Sequence, residues 1–202
     1  MNTHAMPRTS PRGFFPRHLG FTLIELMTVL VVLGAMMVLA APSFREYQRN
    51  AALTNTANML VSSVYRTRTE AMKEGMPAIM APGTENGTSD TGWRGWIIYI
   101  DRDLSNTYTT GDDIVSVQAG DEIPDYITIA CTADRGSQNF VKFNGAGFPR
   151  DSNNGIGALT LNVTRDGSTE ARYIRRVKVA SAGRVRTCRP DVDGANNCKE
   201  KG

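Results

Sequence analysis

The stretch from Gly20 to Ala41 reads GFTLIELMTVLVVLGAMMVLAA, and its single charged residue is Glu25. As a helix the run from Phe21 rises about 30 Å at roughly 1.5 Å per residue, which matches the hydrocarbon core of a bilayer. A carboxylate in such a segment is costly unless it is paired. Glu25 is therefore the residue whose partner has to be found.

Upstream of this run the chain changes character. Residues 1–20 are rich in Pro, Arg and Gly, carry Arg8, Arg12 and Arg17 without any acid, and read as a processed leader. By the positive-inside rule that side lies in the cytoplasm and the remainder of the chain beyond the membrane. A secretory signal peptide would place its cleavage site after the apolar run. Here the sharp punctuation, Gly20, precedes it, so a cut there leaves the helix on the mature chain.

Composition narrows the function classes. The 202 residues, 41% hydrophobic and 21% charged, suit one domain with an accessory segment. The formal charge of +3 resides in the leader, because from Phe21 onward 20 basic residues face 20 acidic ones. Both histidines, His4 and His18, also precede the run. A chain starting at Phe21 has no imidazole to activate a Ser or Cys nucleophile or to ligate a catalytic zinc. A non-enzymatic protein with no cofactor and no metal is expected.

Downstream, Pro42 is read as kinking a helix that continues to about residue 75. Phe44, Tyr47, Ala51, Ala57, Leu60, Val64 and Ala71 recur at helical spacings, and Gly75 and Pro77 stop the pattern. Strands follow: 96–100 (WIIYI), 114–118, 126–130, 140–143, 158–163, and a last pair at 171–180 and 184–188. A helix followed by antiparallel strands predicts an α+β fold with the helix covering one face of a sheet.

These residues reach a known family. The basic leader, GFTLIEL at 20–26, the apolar segment and Pro42 resemble the class III signal of type IV pilins and type II secretion pseudopilins. GWRGWIIYID (92–101) and SAGRVRTC (181–188) are similar to the GspH/FimT branch of minor pilins. The resemblance implies a pilin fold: leader 1–20, membrane and filament-core helix 21–41, amphipathic continuation 42–75, and a β-sheet domain 76–202. It implies cleavage between Gly20 and Phe21 by a prepilin peptidase, N-methylation of Phe21, and a single pass through the inner membrane with the C-terminal domain in the periplasm. Assembly with other pilin or pseudopilin subunits into a filament would follow.

Cleavage would also supply the missing partner, since the free ammonium of Phe21 on a neighbouring subunit can pair with Glu25. The plainer alternative is a carboxylate near the interface that reaches water.

The C-terminal region offers a second candidate. Residues 165–189 hold eight basic side chains, whereas residues 85–125 hold nine acids against Arg94 and Arg102. The two blocks either neutralise each other, or the arginines decorate an edge strand, or they bind phosphate. In GRVR an extended segment puts Arg184 and Arg186 on one face, and Gly183 permits the tight turn that presents them. In the branch, a GRxR element near the C-terminus is associated with DNA binding by competence pilins. Gly183, Arg184, Arg186, Arg176, Lys178 and Arg189 are therefore candidates for salt-sensitive, sequence-independent binding of double-stranded DNA. Secretion pseudopilin and purely structural pilus subunit are the competing roles.

Other motifs read more plainly. Asp101, Asp103, Ser105 and Asp112 resemble a calcium loop, but Asn106 stands where a sharp turn wants Gly, and a solvated hairpin loop is the simpler reading. Trp93 and Trp96 read as core residues rather than stacking platforms. Cys188 and Cys198 enclose a short polar segment that a disulfide would close, leaving Cys131 as a buried strand thiol; pairing of Cys131 with either of the others stays open.

Overall fold

The computed structural model describes residues 20–84, 86–88, 92–194 and 196–200; the leader arginines and histidines lie outside the described residues. The chain divides into two units, Met1–Phe44 and Arg45–Gly202.

Helix α1, Leu23–Glu74, begins in the first unit. Thr22 starts it, its Oγ1 accepting the Glu25 amide at 3.2 Å in the manner of an N-cap. From Phe21 to Val38 the large apolar side chains described are all exposed. The helix breaks between Val38 and Ala40 rather than at Pro42 itself. That offset has a physical cause, because Pro42 lacks the N–H that would bond the Val38 carbonyl and its ring crowds that carbonyl. No single helix among the described residues is long and apolar enough to cross a membrane; the bent pair Leu23–Val38 and Ala40–Glu74 matches a span by length and composition alone.

In the second unit α1 buries a stripe of Leu53, Ala57, Leu60, Val64 and Ala71, with Thr56 and Thr67 between. Each threonine satisfies its hydroxyl on the carbonyl four residues back, Ala52 and Ser63, which lets it sit in the core. Phe44 and Tyr47, expected to begin this stripe, are instead 61% and 70% exposed. Helical spacing alone cannot tell a core position from an exposed one a turn earlier.

The strands form two antiparallel sheets rather than one. The first contains β1 (Ala78–Thr84), β2 (Gly87–Thr88), β3 (Trp96–Ile100), β4 (Asp113–Gln118), β6 (Val141–Phe143) and β7 (Pro149–Arg150), in the order β4-β3-β1-β6-β7 with β2 on β1. The second, in the order β10-β9-β8-β5, contains β5 (Ile127–Ala133), β8 (Leu159–Arg165), β9 (Ile174–Val179) and β10 (Val185–Cys188). A four-residue helix α2, Pro190–Asp193, follows.

The main core joins the α1 stripe to both sheets, through Trp96, Ile98, Met80 and Phe143 on one and Leu161, Val163, Val177 and Val179 on the other. A smaller cluster of Ile79, Ala81, Ile97 and Tyr99 lies on the opposite face of the first sheet beneath Tyr108. Burial on both faces explains why WIIYI shows no alternation. Trp93 and Trp96 are core residues, and their indole N–H groups donate to Asn139 Oδ1 (2.7 Å) and Ser63 Oγ (3.0 Å).

Arg165 is buried beside the helix, bonded to Glu46 at 2.9 Å, and its guanidinium lies 3.8 Å from the centroid of the Tyr173 ring. This clasp holds the start of the second unit's helix to the second sheet, and pairing with Arg165 draws the Glu46 carboxyl below its ordinary range.

Candidate functional site

Gly20 and Phe21 precede the helix and are exposed. Glu25 lies in the first turn, also exposed, and no ion pair involves it among the described residues. An acid in the first turn is favourably placed against the helix dipole, but that local benefit does not supply a counter-charge.

At the other end, GRVR is built by a turn. Gly183 adopts φ +81°, its N–H donates to the Ala180 carbonyl at 2.7 Å, and the Ala180 N–H donates to Arg184 O at 2.9 Å. A Cβ on Gly183 would stand 3.1 Å from the Gly147 carbonyl oxygen and 3.3 Å from the Arg68 guanidinium carbon. Arg68 and Tyr65 of α1 hold this turn and the following strand from beneath, donating to the carbonyls of Gly183 (3.0 Å) and Val185 (3.3 Å). Neither residue was expected from sequence to serve the site; an Arg and a Tyr at adjacent helical turns resemble ordinary amphipathic decoration.

Arg184 and Arg186 are exposed, with Arg186 on the edge strand β10. Together with Lys178, Asp134, Ala158 and Ser181 they line an open groove of about 640 Å³. Arg189 stands apart from it, bonded to Asp191 at 2.7 Å in a recess shared with Arg175 and with Thr54 and Asn58 of α1. The six candidates are thus not one patch.

Arg176, Lys178 and Arg186 face the side of the second sheet away from the core, where the C-terminal tail crosses them. Arg186 donates to the Asn197 carbonyl (2.8 Å), Arg176 to that of Cys198, and Lys178 to that of Lys199 (3.1 Å). A disulfide joins Cys188 of β10 to Cys198 of the tail, and Cys131 is the free cysteine, half-buried rather than fully buried. Burial pushes its thiol up to about 12.

The acidic block does not neutralise this face. Among the described residues no ion pair joins 85–125 to 165–189; Arg94 and Arg102 pair with Asp125 and Asp113, and the basic block meets Glu46, Asp166, Glu170 and Asp191.

The Asp101–Asp113 loop is not merely solvated. Asp101 and Asp112 are buried, and carboxylate oxygens of Asp101, Asp103 and Asp112 lie within 4.8 Å of one another. Their acceptors are already engaged: Asp101 by the amides of Ser105 (3.0 Å) and Asn106 (3.3 Å), Asp112 by the amides of Arg102 and Thr109 (both 2.8 Å). A cation is also present, since Lys142 Nζ stands 3.8 Å from Asp101 with both side chains 0% exposed. From this loop Tyr108 packs edge-on against Tyr99 of β3, with ring centroids 5.6 Å apart.

Comparison with known proteins agrees with this architecture. Residues 56–183 match the family model described as Type II transport protein GspH, and residues 16–41 match the prokaryotic N-terminal methylation motif. The pilin-like protein PilA1 of Thermus thermophilus is 29% identical over 101 residues, covering 50% of this chain and 60% of that protein. Among solved structures, the type IV minor pilin FimU of Pseudomonas aeruginosa aligns with a TM-score of 0.50 at 15% identity, over 69% of this chain and 90% of that one. The minor pseudopilin EpsH from the type 2 secretion system of Vibrio cholerae aligns at 0.46 and 12% identity, over 68% and 96%.

The matched segment holds α1 from Thr56 onward and the strands through β9, and it ends at Gly183, one residue before Arg184. With more than half of its length inside that match, the chain belongs to the GspH family and carries a long helix packed on antiparallel sheets behind an N-terminal methylation motif.

Proposed function

We propose that the chain is a minor pilin-type subunit, cut between Gly20 and Phe21 by a prepilin peptidase, N-methylated at Phe21, and held in the inner membrane with its C-terminal unit in the periplasm until it enters a filament. The observation that carries this reading is the uninterrupted exposed apolar surface from Phe21 to Val38, with Glu25 as its one charge. Such a surface is stable only against lipid or against copies of similar helices. In a filament, the Phe21 ammonium of a neighbouring subunit would neutralise Glu25. The role is structural and not catalytic, in keeping with a chain that has no histidine after His18.

We further propose that the groove at Arg184 and Arg186 captures the phosphate backbone of double-stranded DNA. Two exposed guanidiniums follow a turn braced from below by Arg68, so the charges are presented from a rigid support. The test is a titration of the detergent-solubilised chain with a mixed-sequence duplex at two salt concentrations, against Arg184→Gln/Arg186→Gln. Binding that weakens with salt, and a double variant whose log K versus log salt slope is smaller by ~2, are expected. Equal binding by the double variant rejects DNA capture and leaves an assembly or secretion subunit.

A further inference from the structure

The outer face of the second sheet carries more positive charge than the groove displays. Residues paired directly across antiparallel strands project to the same face. Arg186 lies opposite Lys178, Lys178 opposite Thr160, and Thr160 opposite Thr132; in the next row Cys188, Arg176 and Asn162 stand side by side. This is a polar, cationic floor on a sheet whose other face is the core.

Asn197–Glu200 lies across both rows. Three successive backbone carbonyls, those of Asn197, Cys198 and Lys199, accept from Arg186, Arg176 and Lys178. The Glu200 carboxylate lands on neutral groups, accepting from Thr132 Oγ1 at 3.0 Å and Asn162 Nδ2 at 3.3 Å. Beneath the tail Lys178 is only 9% exposed, and Thr160 is 0% exposed with a hydroxyl that has no hydrogen-bond partner among the described residues.

The cover is therefore incomplete in a specific way. The strap itself supplies only neutral acceptors to the three cations and brings Lys199 as another positive charge, while the nearby acid, Asp134 at the groove, offsets Lys178 only in part. Burial, followed by repulsion from Arg186, pushes the Lys178 amine below its ordinary range. A phosphate oxygen would serve the same donors better than a carbonyl, because it carries a negative charge that a carbonyl lacks, and it could accept from Thr160 as well.

We infer that the tail Asn197–Glu200, pinned by the Cys188–Cys198 disulfide, is an autoinhibitory strap over a second phosphate-binding surface formed by Arg176, Lys178 and Thr160. The strap occupies the site with its own carbonyls, and its displacement extends the Arg184/Arg186 groove across the sheet. The ligand is the backbone of duplex DNA, so this inference rests on the DNA-capture reading above.

The experiment compares the full chain, a Cys188→Ser chain ending at Gly194, and that shortened chain with Arg176→Gln/Lys178→Gln. Duplex binding is measured at low and high salt, and the reactivity of the Lys178 amine toward an acylating ester is mapped by peptide mass spectrometry. The expected result is protection of Lys178 in the full chain, labelling in the shortened one, and tighter DNA binding by on the order of tenfold with a salt slope steeper by ~2. The gain should vanish in the Arg176→Gln/Lys178→Gln form.

A full-length Cys188→Ser/Cys198→Ser chain should shift both readouts the same way by less, and it decides the matter if shortening impairs folding, as judged by near-ultraviolet circular dichroism. Equal labelling of Lys178 in every form, or shortened and full chains of equal affinity, overturns the strap. If that equality accompanies full-chain binding abolished by Arg184→Gln/Arg186→Gln, DNA capture still stands. Absence of binding by every form overturns both.

Discussion

Arg68 of α1 donates a 3.0 Å hydrogen bond to the carbonyl of Gly183, so the helix sets the position of the turn that presents Arg184. Gly183 tolerates this approach because it has no Cβ and because its φ of +81° costs a glycine little. Gly183→Ala would press a methyl toward Gly147 O and the Arg68 guanidinium in a backbone conformation that disfavours side chains. The expected cost is about 1–2 kcal/mol. A thermal melt should show a loss of roughly 2–8 °C, and any duplex binding should weaken although no charge has been removed. An unchanged melting temperature would mean that the turn is not held by these contacts.

The two candidate regions differ in how legible they are. Glu25 within an apolar run, preceded by Gly20 and basic residues, is a local arrangement, and every element of it is adjacent in sequence. The helix end at Glu74 was equally readable from Gly75 and Pro77. By contrast β1 is not legible in the sequence, because Pro82 and Gly83 within Ala78–Thr84 carry loop chemistry; β6 reaches only Ala78 to Met80, so Pro82 lies past that neighbour. The tail over Lys178 and Arg176 was invisible for another reason. Its contacts are carbonyls of Cys198 and Lys199 about twenty residues away in sequence, and a backbone acceptor leaves no side-chain signature. Arg184 and Arg186 of GRVR line one groove, the same side that alternation in an extended segment gives them, while Arg189 stands at the start of α2.

Lys142 and Asp101 are the buried charges on which the 101–113 loop depends. Removing one partner of a buried pair strands the other, so Lys142→Met should destabilise by about 3–5 kcal/mol at neutral pH, whereas Lys142→Met/Asp101→Asn should recover much of the loss. Burial raises the Asp101 carboxyl above its ordinary range, and Lys142 offsets part of that rise. A raised carboxyl contributes stability below the ordinary Asp range and loses it as pH climbs through the elevated value. Without Lys142 the elevation is greater. The deficit of Lys142→Met, measured by urea unfolding across acid and neutral pH, should therefore narrow on acidification; a constant deficit would mean that Asp101 is not its source.

If Glu25 pairs with a neighbouring Phe21 ammonium, its charge matters more than its size. Glu25→Gln and Glu25→Ala should both insert and be cleaved at Gly20 normally, as read by the mass of the mature chain, yet both should enter filaments poorly. Glu25→Asp should retain part of the activity. Sheared filament fractions probed for the subunit provide the measurement. Normal incorporation of Glu25→Gln would show that assembly does not use the carboxylate's charge.

The cysteines make the last prediction. The Cys188–Cys198 bridge closes a short loop, with a separation of 10 residues, for which chain-entropy arguments give about 2–3 kcal/mol. Cys188→Ser/Cys198→Ser should fall by that amount in denaturant unfolding, and the loss should be concentrated in the tail because both partners lie at the edge of the second sheet. Cys131 sits within β5, packed against the core, with a thiol pushed up to about 12 by burial. It is almost entirely protonated at pH 8, and the thiolate is the reactive form. The oxidised native chain should therefore take up no iodoacetamide at that pH and a single equivalent once denatured. Rapid alkylation of the folded chain at Cys131 would contradict the packing of β5 against β8, and two or more equivalents after denaturation without reductant would contradict the disulfide.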